Sequence, residues 1–226
     1  MVDKAEALHT AGIDALMSGQ IGTFPGFDRE ELIRRCVVAG LPTTPSQWTF
    51  SEGVRRLLAV TSGLGLPLYA AGRDFPWHVT MLEGRDESSP YIPLQAPIID
   101  GARNFAGRWH SSIEIFLSRL VLDVRGNIIL TADWLPESVH IMREELAKLY
   151  QHQNLKPLAM ENILHCTVAR LTAVPGPAER HILREYLQFW RVAISHSPIE
   201  MPISQLVGTR SDVFFFGLFG ARLVKA

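Results

Sequence analysis

Two five-residue frames constrain this chain more than anything else in it. Trp77-His78-Val79-Thr80-Met81 and Leu164-His165-Cys166-Thr167-Val168 each alternate apolar and polar residues without a break. A period of two is the mark of a half-buried β-strand. Successive side chains on a strand face opposite ways, so His78 and Thr80 share one face and Trp77, Val79 and Met81 the other. His165 and Thr167 stand in the same way against Leu164, Cys166 and Val168. With 8 His and 11 Thr in 226 residues, chance gives roughly 0.4 His-x-Thr triplets. Requiring the apolar frame around both lowers the joint chance to on the order of 10⁻³. A rival run, His110-Ser111-Ser112, lacks the frame.

The elements around the frames set the fold class. "IFLSRLVLDVRGNIILTADW" holds two apolar runs joined by Arg125-Gly126-Asn127, which predicts a hairpin over about 112–132. Beyond it, Val139, Met142, Leu146 and Leu149 fall at helical spacing, with Pro136 suited to a first turn. The second frame follows as a strand, then a Pro-Gly-Pro turn at 175–177, a helix over "AERHILREYLQFWRVAI" and closing strands near 200–208 and 213–224. Residues 1 to about 60 read as mostly helical: Asp28 is an N-cap for a helix ending at Gly40, and Ser51 one for a second helix. Mixed order without regular βαβ alternation predicts an α+β fold with antiparallel sheets.

Composition narrows the function classes. Hydrophobic residues at 47% and charged ones at 20% describe a globular chain with a real core. A net charge of -1 with no block of like charge argues against wrapping long nucleic acid, which needs many phosphate contacts. The first residues, "MVDKAEALHTAG", carry acids and no apolar core, so the expected compartment is the cytoplasm. No apolar run is long enough to span a bilayer, and no membrane partner is expected. Cys36 and Cys166 are expected to be free thiols. No CxxC, HxH or HExxH spacing points to a metal site.

Two imidazoles and two hydroxyls suit phosphoryl chemistry. In-line cleavage of a phosphodiester needs a base on the attacking oxygen and an acid on the leaving one, and histidine fills either role near neutral pH. Threonine hydroxyls donate to the non-bridging oxygens, where charge must be held. Neither job requires a metal or a cofactor.

The paired His-x-Thr strands in separate halves of the chain resemble the two-histidine phosphoesterase superfamily. The resemblance covers roughly residues 65–226 and implies two pseudo-symmetric lobes of antiparallel sheet and helix around a central cleft. The chain then forms a single two-lobed domain over 1–226, and its helical reading of 1–60, as an N-terminal extension, departs from the family, whose members commonly begin with a strand. It further implies metal-independent attack on 2′,3′-cyclic or 2′,5′-linked phosphodiesters, with His78 and His165 as the catalytic pair and Thr80 and Thr167 as the phosphate-binding pair. The partner is then a nucleotide or short RNA, and the enzyme a monomer. Arg170 matches a basic residue that often follows the family's second motif, and no equivalent follows the first.

Other readings compete with this one. A non-catalytic nucleotide-binding or interaction module could keep the same fold. A Cys166-His165 nucleophile is disfavoured, because strand neighbours face opposite sides. The other histidines, His9, His110, His140, His152, His181 and His196, read mostly as surface residues. Phe214, Phe215 and Phe216 read as core more than as a base-stacking surface, and Phe75, Tyr91 and Arg73 are weak candidates for substrate contact.

Overall fold

The structure, a computed structural model, describes residues 3–24, 35–42, 52–59, 63–70, 77–85, 113–152, 156–157, 163–201, 203–210 and 224–225. Among them are helices α1 (Lys4–Ser18), α2 (52–59), α3 (Glu137–His152) and α4 (Pro177–His196). The strands are β1 (Arg35–Pro42), β2 (Leu68–Ala70), β3 (Val79–Arg85), β4 (Phe116–Leu122), β5 (Asn127–Ala132), β6 (Lys156–Pro157), β7 (His165–Leu171), β8 (Ile199–Glu200), β9 (Ile203–Arg210) and β10 (Val224–Lys225). They form two five-stranded sheets, β10-β9-β1-β3-β6 and β2-β7-β5-β4-β8. Every pairing is antiparallel, so the fold is α+β as expected.

The two sheets repeat one plan. Reversing the first gives β6-β3-β1-β9-β10, which matches β2-β7-β5-β4-β8 place for place. Each motif strand is second in its sheet, and each outermost neighbour comes from the segment just before the other motif. Thus β2 precedes β3 in the chain but pairs with β7, and β6 precedes β7 but pairs with β3. The sheets are also tied where Ile113, leading into β4, exchanges both backbone hydrogen bonds with Ile203 of β9, each 2.8 Å long. One hydrophobic core draws on both, with Trp77, Val79 and Met81 beside Leu164, Cys166 and Val168.

The 112–132 hairpin forms as β4 and β5. Its turn is held by Asp123, whose carboxylate accepts from the backbone N–H groups of Arg125 and Asn127, each at 2.9 Å. Gly126 takes φ 78°, a left-handed conformation that favours glycine. A side chain there would also run into the Gly22 carbonyl. In α3 the buried residues include Val139, Met142 and Leu146, as their spacing predicts. In α4 they are Leu183, Leu187 and Ile194, and the helix lies on β4 with Glu179 accepting from the Gly176 N–H at 2.7 Å at its start.

One expectation fails. The helix read up to Gly40 is contradicted at 35–42, which is strand β1, hydrogen-bonded to β3 on one side and β9 on the other. The stretch Cys36-Val37-Val38 is rich in residues that favour strands, and a two-sided ladder outweighs a glycine stop signal read locally. The sheet core therefore includes residues well before 65. Asp28, Ser51, Phe75, Arg73, Tyr91, His110 and Phe214–Phe216 lie outside the described residues.

Candidate active site

Both frames have the faces their alternation dictates. Trp77, Val79 and Met81 are buried and so are Leu164, Cys166 and Val168, while His78, Thr80, His165 and Thr167 are all half-exposed. His78 leads directly into β3 and His165 is the first residue of β7. The two strands belong to different sheets yet lie against each other.

The contact between them is specific. The Cys166 thiol, at the centre of the second triplet, lies beside the backbone of His78, at the head of the first, and donates to the Thr167 carbonyl at 3.8 Å. The His78 backbone favours the thiolate. Burial outweighs it and pushes the Cys166 thiol up to about 12, which leaves it protonated and a poor nucleophile. Cys166 is packing between the motifs, as its strand position implied.

A second repetition is invisible in the sequence. In β3, Thr80 pairs with Ala39 and Leu82 with Val38, so Met81 is an extra residue. In β7, Thr167 pairs with Ile129 and Ala169 with Ile128, so Val168 is extra. Each His-x-Thr triplet is thus followed at once by a β-bulge. A bulge shifts the alternation by one residue and re-aims the side chains beyond it. Met81 and Leu82 are both buried, as are Val168 and Ala169, and Arg170 returns to the half-exposed face of His165 and Thr167. There its guanidinium lies 5.0 Å from the centre of the Phe24 ring, which stacks at 6.1 Å on Tyr69. The matching register position after the first motif is Glu83, an acid where the second has a base.

The sequence reading missed Arg143. This α3 residue is only 8% exposed. Its Nε donates to the Met81 carbonyl at 2.7 Å, and its Nη2 lies 3.4 Å from the Thr80 carbonyl and 3.3 Å from that of Ile163, two residues before His165. Burial brings its guanidinium down to about 10, still cationic at neutral pH. The signal was its place: Arg143 follows Val139 by four residues and precedes Leu146 by three, inside the apolar stripe of α3.

The electrostatics single out His165. Burial first, then the Arg143 cation, hold its imidazole below the usual histidine value, against a smaller upward pull from Asp123 and with a still smaller downward one from Arg170. It is therefore neutral at pH 7. His9 is a further correction: it is buried, not a surface residue, accepts from the Leu122 N–H at 3.2 Å, and is brought down to about 4 mainly by burial. His140, His152, His181 and His196 are exposed as expected. Among the described residues no helix is long and apolar enough to cross a membrane.

No protein-family model matches the chain. No curated protein matches it either. Several solved structures do, at low identity. A conserved protein of unknown function from Agrobacterium tumefaciens is 14% identical, with 88% of this chain and 93% of that one covered and a TM-score of 0.49. Usb1 of Kluyveromyces marxianus is 11% identical over 80% and 95%, with a TM-score of 0.44. E. coli LigT complexed with ATP is 14% identical over 77% and 86%, with a TM-score of 0.42.

Proposed function

We propose that this protein is a two-histidine phosphoesterase that hydrolyses 2′,3′-cyclic or 2′,5′-linked ribonucleotide phosphodiesters by metal-independent acid-base catalysis. The observation that supports this most is that the two motif strands, β3 and β7, lie against each other. That contact joins two His-x-Thr triplets that lie 87 positions apart in sequence and in different sheets. A merely structural histidine-threonine pair needs no second copy against it with the same bulge after it.

In this reading Thr80 and Thr167 donate to the non-bridging oxygens of one phosphate held between the strands. His165, kept neutral, removes a proton from the attacking water as the new oxygen–phosphorus bond forms. His78 gives a proton to the ribose oxygen as the old bond breaks, and a proton exchange with solvent restores both rings. The substrate is a nucleotide or a short RNA carrying such a linkage, and the enzyme works as a cytoplasmic monomer in RNA processing.

The test is turnover of a 2′,3′-cyclic nucleotide, 2′,5′-oligoadenylate and an RNA with a cyclic-phosphate end, all in EDTA. At least one should give product, and His78→Ala or His165→Ala should each lower kcat by about 10² or more. Full activity in His165→Ala would end this reading. Saturable binding with no product would make the protein a binding module instead.

A further inference from the structure

On the basis of that reading, we propose that Arg143 is the positioning residue of the two-histidine centre: it ties the bulge of the first motif strand to the segment leading into the second, and so fixes the spacing of His78 and His165. A bulge removes its extra residue from the ladder and leaves backbone groups to be satisfied elsewhere. The Met81 carbonyl is such a group, and the Arg143 Nε meets it at 2.7 Å. The same guanidinium reaches the carbonyl of Thr80, a phosphate-binding residue in the reading above, and that of Ile163 on the approach to His165. A planar fork holds acceptors on β3 and on the segment before β7 in fixed directions, whereas the three donors of an ammonium radiate from a single nitrogen.

The fold alone does not demand this arginine. Helix α2 stands before β2 as α3 stands before β6, and it keeps Arg55 and Arg56 exposed while burying Val54 and Leu57. A buried guanidinium is also costly, and the Arg143 Nη1 is buried without a hydrogen-bond partner. An apolar residue would avoid that cost, so the arginine needs a reason local to the motif strands. The charged groups acting on His165 are Arg143 from α3, Arg170 from its own strand and Asp123 from the β4–β5 turn. Arg143 therefore acts on His165 through position and through charge.

Arg143→Lys and Arg143→Met separate these two roles, with His78→Ala as a control for the reaction. Both arginine variants should lose ~10² in kcat on a 2′,3′-cyclic nucleotide with KM changed by less than about threefold, since misplacement by ~1 Å costs that much. The NMR titration midpoint of His165 should rise in Arg143→Met and stay near the wild-type value in Arg143→Lys. Wild-type kcat in Arg143→Lys, with His78→Ala inactive, overturns the proposal and leaves the reading of the reaction standing. If wild-type protein turns nothing over, the reading of the reaction fails and the spectra decide: unchanged His78 and His165 ring shifts in Arg143→Lys overturn the clamp, and displaced ones uphold it. If Arg143→Met does not fold, the kcat and ring shifts of Arg143→Lys decide between the same two outcomes.

Discussion

His165 and Arg143 show what single residues reveal in a sequence and what they conceal. His78, Thr80, His165 and Thr167 were legible because strand alternation is local: five residues fix which way each side chain points. Arg143 and His9 were not, because an ionisable residue on a helix reads as solvent-facing until its neighbours are counted. His9 follows Ala5 by four residues and precedes Gly12 by three, and all three are buried. The state of His165 leads to a pH prediction. A base must be neutral to act, and a value held below about 6.5 keeps it neutral further into acid. The acid-side inflection of kcat/KM should lie below that value, and in Arg143→Met it should move up. An inflection at or above about 6.5 in the wild-type protein would remove His165 from the role of base.

The elements divide along the same physical line. The hairpin, α3, β7 and α4 were readable because turn chemistry and periodicity are written within each segment. Strand β1 was misread because its place between β3 and β9 comes from residues 39 to 50 and 161 to 174 positions away. Helix α1 is readable as a helix but not in its docking. Asp3 caps its start, accepting from the N–H groups of Ala5 at 3.1 Å and Glu6 at 3.2 Å. Gly12 comes so near the Leu122 carbonyl that a Cβ would lie 2.0 Å from it. His9 accepts from the Leu122 N–H beside it, and that acceptor exists only in a neutral ring. With a folded value of about 4 against about 6.5 when unfolded, the unfolded chain binds a proton in this window that the folded chain refuses. Stability should therefore be full above about 6.5 and fall as pH drops towards about 4, by on the order of 3 kcal/mol. Urea denaturation at pH 7 and pH 5 measures the fall, to which His165 adds in the same direction. His9→Gln, which keeps an acceptor and cannot take up a proton, should flatten the slope, and an undiminished slope would mean that His9 is not its source.

At the scale of the molecule, the two sheets share a plan but neither is complete alone. Strand β2 belongs to the sheet of the second motif although it leads towards the first, and β6 does the converse. The segment of β8 and β9 pairs with one sheet and then the other, and the apolar faces of both motif strands enter one core. A lobe that unfolded by itself would strip its neighbour of an outer strand and expose half of that core. Loss of the first lobe would also part Arg143 from the Met81 and Thr80 carbonyls, and loss of the second would part it from that of Ile163. Such sharing predicts one cooperative transition. Single-tryptophan variants keeping only Trp77, next to β3, or only Trp190, on α4 against the second sheet, give a probe for each lobe. Their fluorescence midpoints in urea should coincide with each other and with the loss of far-UV circular dichroism. Midpoints separated beyond error, with a plateau between them, would show that the lobes fold independently, and the exchange of β2 and β6 would then hold the motifs together too weakly to make them one site.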